Sequence, residues 1–456
     1  MGERMNWQQL LSTRRFKVKA GQIQAAHASG GGDSEAGLRT DFHIDHDRVV
    51  FSSAFRRLGR KTQVHPLAVN DHTHNRLTHS VEVASVGRSL GNRVGAMLAA
   101  GRLLPPGFTP FDIGAVVQVA CLAHDIGNPP FGHTGEDALR DWFRRPAHAH
   151  YLQGLSAEEK LDVQTYEGNA HGLRMVASLE MYLHEGGMRL TAASIGALVK
   201  YPWTAATEPG PRKKGKFNIY QAELRYFEAV ADELGLIRKG SQHWARHPLS
   251  YLMEAADDIC YAILDLEDAV EIGILAVGDF ESLLGHLVEL DKIMGIRDDR
   301  QRCAALRGMV IGRCVDEVAD TFMRHHDALM AGEFVPKDLI AVMDPALGQV
   351  LHDAKALAFD RVYRHRSKVV KEIAAYPCLA ALLDILIPDA HAFCTEGKTQ
   401  LNTRQATELA LLERPLEAGE SLYSAYLKIL DYVGGMTDNY AATLAREVSG
   451  VGILAG

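Results

Sequence analysis

The chain of 456 residues contains no apolar run near the ~18 residues that a bilayer-spanning helix requires. Its opening, MGERMNWQQLL, has no apolar signal core, and Asn6 breaks the myristoylation pattern. Nothing in it directs the protein to a membrane or out of the cell. Cysteine is sparse: Cys121, Cys260, Cys303, Cys314, Cys378 and Cys394 form no CxxC pair, which excludes a zinc knuckle and argues against a disulfide framework. Reduced, mostly buried thiols in the cytoplasm are expected. Positive charge is in deficit, with 49 Lys and Arg against 57 Asp and Glu and a net charge of −8, unlike a dedicated nucleic-acid binder. A local basic patch stays open. Apolar content of 47% and charged content of 23% are those of an ordinary soluble globular protein.

Period-two alternation is also scarce, so strands are expected to amount to a short ribbon near 187–220. The helical period is present instead. In HDRVVFSSAFRRLGRKTQV, Val49, Val50, Ala54, Phe55 and Leu58 share one face, with Arg56, Arg57, Arg60 and Lys61 off it. The same spacing recurs in 76–98, 111–125, 168–185, 220–236, 249–272 and most of 300–446, which gives an all-α fold class. Helix-stopping connections stand at 101–110, 125–136 and 207–217, and the Gly-rich SGGGDSEAG (29–37) is expected to be mobile until something orders it. No internal repeat is found. The expected organisation is an arm over 1–44, a core over 45–272 and a helical C-terminal region over 273–456.

Four His-Asp dipeptides occur, at 46, 124, 326 and 352, and most such pairs are simply solvated. His124-Asp125 differs because it ends the apolar run IGAVVQVACLA and precedes a Gly/Pro loop. Polar groups at the buried end of an apolar helix need partners. His79, in RLTHS, and Asp257, in MEAADDI, offer them. Two imidazoles and two carboxylates suit Mg²⁺, Mn²⁺, Fe²⁺, Co²⁺ or Zn²⁺ and leave positions for water and a substrate oxygen. Asp257, Tyr261 and Asp265 follow at i, i+4 and i+8, on one helix face. Gly210 to Lys216 imitates the first part of a phosphate-binding loop, but Phe217 stands where Ser or Thr must hold Mg²⁺. The HxH pairs at His72/His74 and His148/His150 read as loop residues.

The ordered set RLTHS, AHDIGNPPFGHTGE, EGNA (167–170) and LMEAADDICYAILDLEDAV (252–270) resembles the HD-domain deoxynucleoside triphosphate triphosphohydrolases, the dGTPase-like family. DRVVFSSAFRRLGRKTQV (47–64) and DYVGGMTDNYA (431–441) extend the resemblance over most of 39–446. It implies an HD-domain helical fold and one divalent metal per subunit, held by His79, His124, Asp125 and Asp257. Mn²⁺ or Mg²⁺ is expected first, with Fe²⁺, Co²⁺, Ni²⁺ or Zn²⁺ as alternatives. Asp258 is then a neighbour of the ligands. His133 and Glu136 resemble the family's catalytic pair, which matches the fitness of imidazole for proton transfer near neutral pH.

By the same resemblance Arg76 and Tyr261 contact phosphate, Asp265 and Gln63 the 3′-hydroxyl region, and Tyr363 stacks on the sugar. Lys216 and Lys355 add positive charge. The departures, His171 after EGNA and Gly59-Arg60, bear on base preference. The implied reaction converts dGTP, or dNTPs generally, to deoxynucleoside and triphosphate. A homo-oligomer, commonly a hexamer, and activation by dNTP or single-stranded DNA are also implied. Two alternatives stand beside it: another HD phosphohydrolase, and a nucleotide-sensing or single-stranded-DNA-binding protein.

Overall fold

The structure, a computed structural model, describes residues 3–19, 22–26, 39–62, 74–180, 186–207, 215–289, 291, 293, 295–363 and 366–451. The Gly-rich 29–37 and the basic residues Arg212 to Lys214 lie outside them. The chain opens with α1 (Trp7–Leu10), an antiparallel ribbon of β1 (Arg15–Lys19) and β2 (Gln22–Ala26), α2 (Asp41–Val50) and α3 (Ser53–Arg57). Then come α4 (Arg76–Ala100), α5 (Pro110–Ala123), α6 (Gly132–Arg144), α7 (Ala157–Gln164), α8 (Gly168–Arg174), α9 (Ala192–Leu198) and α10 (Leu224–Leu234). A second ribbon, β3 (Arg238–Gly240) and β4 (His243–Trp244), precedes α11 (Pro248–Glu271), α12 (Val277–Leu284), α13 (Asp299–Arg324), α14 (His326–Met330) and α15 (Pro345–Ala358). The C-terminal part holds α16 (Arg366–Glu396), α17 (Thr403–Leu409), α18 (Leu422–Gly435) and α19 (Asp438–Val448). The fold is all-α, and among the described residues no helix is long and apolar enough to cross a membrane.

The expected ribbon near 187–220 is corrected. The ribbons lie at 15–26 and 238–244, and 187–220 supplies isolated bridges from Thr191, Trp203 and Thr204. In β1 the alternation of Phe16 and Val18 with Arg15, Lys17 and Lys19 is the strand pattern, but five residues of it are too short to stand out. The helix expected over 168–185 is also shorter: α8 passes into a π-turn at Met175–Leu179 and stops before Glu180.

Sequence explains where the long helices begin. Asn75 caps α4 in a reciprocal box with Thr78, and α5 and α11 each carry proline in the first turn, where its missing N–H costs nothing. Inside α5, Ile113, Val116, Val117, Val119, Ala120, Cys121 and Leu122 are all buried. A helix apolar on every side belongs at the centre, each such Val, Ile or Leu contributing about 1.5–3 kcal/mol on burial.

α4 presents Gly87, Gly91 and Gly95 to α5 at four-residue spacing. A Cβ on Gly91 would lie 2.7 Å from the Gly114 Cα, one on Gly95 2.7 Å from the Pro110 Cα, and one on Gly87 2.4 Å from the Cys121 Sγ. The two helices therefore run antiparallel with backbones in near contact. The start of α4 and the end of α5 are brought to the same end of the core.

α11 packs against α4, α5, α9, α13 and α15 in this main core. Met5, Trp7, Leu10, Leu11 and Phe16 join it, so much of the stretch expected as an arm is core. A second apolar cluster unites Leu139, Trp142 and Phe143 of α6 with Leu383 and Ile387 of α16, Tyr426 and Leu430 of α18, and Leu444 of α19. The connection from α5 to α6 spans the two: Ile126 belongs to the first, and Phe131 packs on the second.

Candidate metal and proton-transfer site

The close pairing of α4 with α5 brings His79 and His124 together with ring centroids 5.6 Å apart. α11 lays Asp257 across them. His79 Nε2 is 3.1 Å from Asp257 Oδ1, and His124 Nε2 is 3.5 Å from both Asp257 Oδ1 and Asp125 Oδ1. Ligand atoms of His79, His124 and Asp125 lie within 4.8 Å of one another.

The His124 Nδ1 sits 2.6 Å from the Cys121 carbonyl, which can only accept. Nδ1 therefore carries the proton, and in the neutral ring Nε2 turns its lone pair toward the carboxylates, the arrangement typical of a metal-ligating histidine. Charge supports the same reading. Burial disfavours an ionised Asp125, but Arg76, His124 and His79 outweigh it and hold the carboxyl down at about 2. Burial likewise opposes charge on His124, yet Asp125 and Asp257 bring it up to about 9. Asp257 is held well below the usual carboxylate range by His124 and His79, against its burial. A site that draws a proton onto imidazole in this way favours a cation, and these residues fit a divalent ion.

The second assembly stands on the other side of the 125–131 loop. His133 Nδ1 lies 3.0 Å from Glu136 Oε2, and since a carboxylate only accepts, Nδ1–H donates and Nε2 is left free. The His133 side chain is 79% exposed while that of Glu136 is 2% exposed, so a buried carboxylate orients an accessible imidazole. Glu136 also accepts from the Gly168 N–H at 2.7 Å and from Arg140 at 3.3 Å. Although burial opposes its charge, His133, Lys216 and Arg140 hold Glu136 down at about 2. Arg76 joins the two assemblies. It donates to Asp125 at 2.7 Å, and its guanidinium pKa is raised by Asp125, Asp438 and Glu136 against the opposing effect of burial.

The loop itself is tightly built. Phe131 adopts the left-handed conformation at φ 64°, a position costing on the order of 1–3 kcal/mol for a non-glycine residue, and Gly132 follows at φ 59°. At Gly127 a Cβ would meet the Gly172 nitrogen at 2.0 Å, so the loop and α8 are in backbone contact.

Among the remaining expected residues, Lys216 donates to Glu167 at 2.9 Å and lies 3.7 Å from Glu136, which sets it beside His133. Lys355 donates to Asp258 at 2.7 Å and stands 6.0 Å from the Tyr261 ring centre, on the α11 side. Asp265 is 2% exposed. Gln63 and the side chain of Tyr363 lie outside the described residues.

Sequence reasoning missed Lys200, which pairs with Glu254 at 3.2 Å and feels the charges of Asp257 and Asp258. It also missed Lys61, whose ammonium is buried beneath the loop and is brought down to about 7 by burial and Arg57, against Asp438. A lysine closing the apolar run SIGALV was the available signal for the first. For Lys61 there was none.

Residues 76–204 match the family model described as HD domain, and residues 341–447 match the one described as phosphohydrolase-associated domain. The chain is 44% identical to a deoxyguanosinetriphosphate triphosphohydrolase-like protein of Pseudomonas aeruginosa, the match covering 98% of this chain and 99% of the relative. It is 35% identical to a like-named protein of Synechocystis sp., covering 98% and 100%. A deoxyguanosinetriphosphate triphosphohydrolase of Enterobacter sp. is 31% identical, covering 96% and 99%.

Proposed function

The chain belongs to the HD-domain, dGTPase-like family of phosphohydrolases, and on that premise we propose that it is a divalent-metal-dependent deoxynucleoside triphosphate triphosphohydrolase. Its substrates are dGTP and other dNTPs, cut to deoxynucleoside and inorganic triphosphate. One observation carries the reading: His79, His124, Asp125 and Asp257 converge from α4, α5 and α11 next to an exposed imidazole backed by a buried carboxylate. The four would hold the ion, Mn²⁺ or Mg²⁺ first. When bound, it supplies Lewis acidity toward a phosphate oxygen and toward water.

The protein's own groups do the rest. Water attacks the α-phosphorus and gives up a proton, and the bond to the 5′-oxygen breaks. His133, entering as the imidazolium that Glu136 steadies through Nδ1–H, gives that oxygen its Nε2 proton and is recharged by the one the water releases. Arg76, already oriented by Asp125, faces phosphate, with Tyr261, Lys355 and Lys216 adding contacts and charge. Asp265, Gln63 and Tyr363 read the sugar. An apolar stripe of Val370, Ile373 and Tyr376 exposed on α16 supports self-association into a homo-oligomer. The six free thiols fit a cytoplasmic setting.

The test is incubation with Mn²⁺ or Mg²⁺ and each dNTP, singly and mixed because a dNTP can act as activator, with products resolved by ion-pair chromatography. Deoxynucleoside with triphosphate and no intermediate phosphates is expected. Nucleoside monophosphate would point to another HD phosphohydrolase. Binding of single-stranded DNA without any product would point to the sensing alternative.

A further inference from the structure

The segment at 431–438 reads as a motif but carries none of the chemistry above. Its contacts lead to the 125–131 loop. Pro129 and Pro130 have no N–H to give, so the loop's own backbone contributes only short bonds, from the Asn128 N–H to the Asp125 carbonyl at 3.1 Å and from the Gly132 N–H to the Pro129 carbonyl at 3.2 Å. The Phe131 N–H and the Asn128 carbonyl are met from far along the chain. The Phe131 N–H donates to Asp438 Oδ1 at 3.0 Å, and the other carboxylate oxygen accepts from the Thr62 N–H at 3.1 Å and the Thr62 hydroxyl at 2.6 Å. Lys61 Nζ donates to the Asn128 carbonyl at 2.5 Å and to the Gly434 carbonyl at 2.9 Å. Lys61 and Asp438 are each 2% exposed.

Lys61-Thr62 and Gly434–Asp438 are thus tied to each other and to the loop. Asp438 is fixed as the first residue of α19, where the helix dipole favours a carboxylate. Phe131 is the left-handed residue from which α6 starts, and His133 follows two positions later. Its backbone angle sets the direction in which His133 leaves the loop. Of the metal-site residues, His79, His124 and Asp257 stand on helices or at their ends, while Asp125 opens the loop, where its carboxylate accepts from the Asn128 side chain. The Asp438 carboxylate accepts from Phe131 and Thr62.

We infer that Asp438 and Lys61 are positioning residues, a brace that fixes Phe131 and thereby aims His133 at the leaving oxygen, resting on the assignment of His133 and Glu136 made above. Asp438→Ala leaves the half-buried Phe131 and Thr62 N–H groups without their partner. Asp438→Asn keeps one acceptor for Phe131 and loses the one for the Thr62 N–H, so it is the milder variant if alanine fails to fold.

The experiment compares wild type, Asp438→Ala, Asp438→Asn and Lys61→Met by three readouts. Mn²⁺ titration reports the metal site. Amide hydrogen exchange without substrate reports residues 126–136. Steady-state kinetics on a dNTP with a full pH profile reports proton transfer. Exchange over 126–136 should quicken by about tenfold while α4, α5 and α11 keep their protection. Mn²⁺ affinity should not move. The kcat should fall about 10²-fold with KM little changed, as for a displaced catalytic group, and the limb of the profile set by His133 should shift. Asp438→Asn should fall between wild type and alanine.

Unchanged exchange over 126–136 would overturn the brace, as would loss of Mn²⁺ binding in step with kcat. A wild type that does not hydrolyse dNTPs would sink the proposed function alone, because the exchange and Mn²⁺ readouts use no substrate.

Discussion

The metal-site residues and the His133 loop lie side by side yet are specified in opposite ways. His79, His124 and Asp257 stand on regular helices or at their ends, and their meeting follows from a glycine face that lets α4 and α5 touch. The loop from Asp125 to Gly132 is irregular, contains a left-handed aromatic residue, and is held by side chains up to hundreds of positions away. On the proposed reading, helix packing places three of the four cation ligands, and long-range hydrogen bonds to the loop place the proton-transfer histidine. Damage to one should leave the other measurable.

The largest separation comes from His124→Ala or Asp257→Ala, which should abolish both Mn²⁺ binding and metal-dependent turnover while far-UV circular dichroism stays helical. His133→Ala should lower kcat by about 10²–10⁴ with Mn²⁺ binding intact, measured by titration and steady-state kinetics. If either helix variant still turned over normally, the division between the regions would fail.

The sequence and structure agree best where periodicity rules. Helices over 76–98, 111–125 and 249–272 were legible from apolar spacing, His124-Asp125 stood out at the buried end of one of them, and the structure brings the expected partners His79 and Asp257 to it. Less legible was whatever depends on long-range partners. The β1–β2 ribbon offers five alternating residues, and half of its meaning is the bridge from Arg15 to Thr191. Lys61 looks like one more cation on a basic helix face, and only the arrival of Gly434 turns it into a buried donor. Glu167, quoted within EGNA, gave no hint that it would share Arg140 and Lys216 with Glu136.

Packing gives the next effect in size. In Gly127→Ala the new methyl would meet the Gly172 nitrogen at 2.0 Å and the Gly168 carbonyl at 2.2 Å, an overpacking worth about 1–3 kcal/mol. A lower Tm by calorimetry and weakened turnover are expected, with Mn²⁺ stoichiometry preserved.

Proton linkage sharpens the contrast further. His124, held at about 9 without an ion, must lose its proton to bind one, so apparent Mn²⁺ affinity should rise by about tenfold per pH unit from about pH 6 to about pH 8. Glu136 and Asp125, both held at about 2, stay ionised across that window and contribute no slope. Titrations at several pH values decide it, and a flat affinity would remove His124 from the ligand set.

The smallest effect is expected next door to a ligand. Asp258 is engaged by Lys355, and Asp258→Asn should alter Mn²⁺ affinity by no more than about threefold, the scale of a partly exposed ion pair. A loss as severe as that of Asp257→Ala would mean that the two neighbouring carboxylates have been assigned the wrong way round.

The most direct test is electron paramagnetic resonance of Mn²⁺ titrated into wild type, His124→Ala and His133→Ala at matched concentration. One tightly bound ion per chain in wild type and in His133→Ala, with none in His124→Ala, is the result that separate placement of cation and proton predicts. Full binding by His124→Ala, or its loss in His133→Ala, would contradict it.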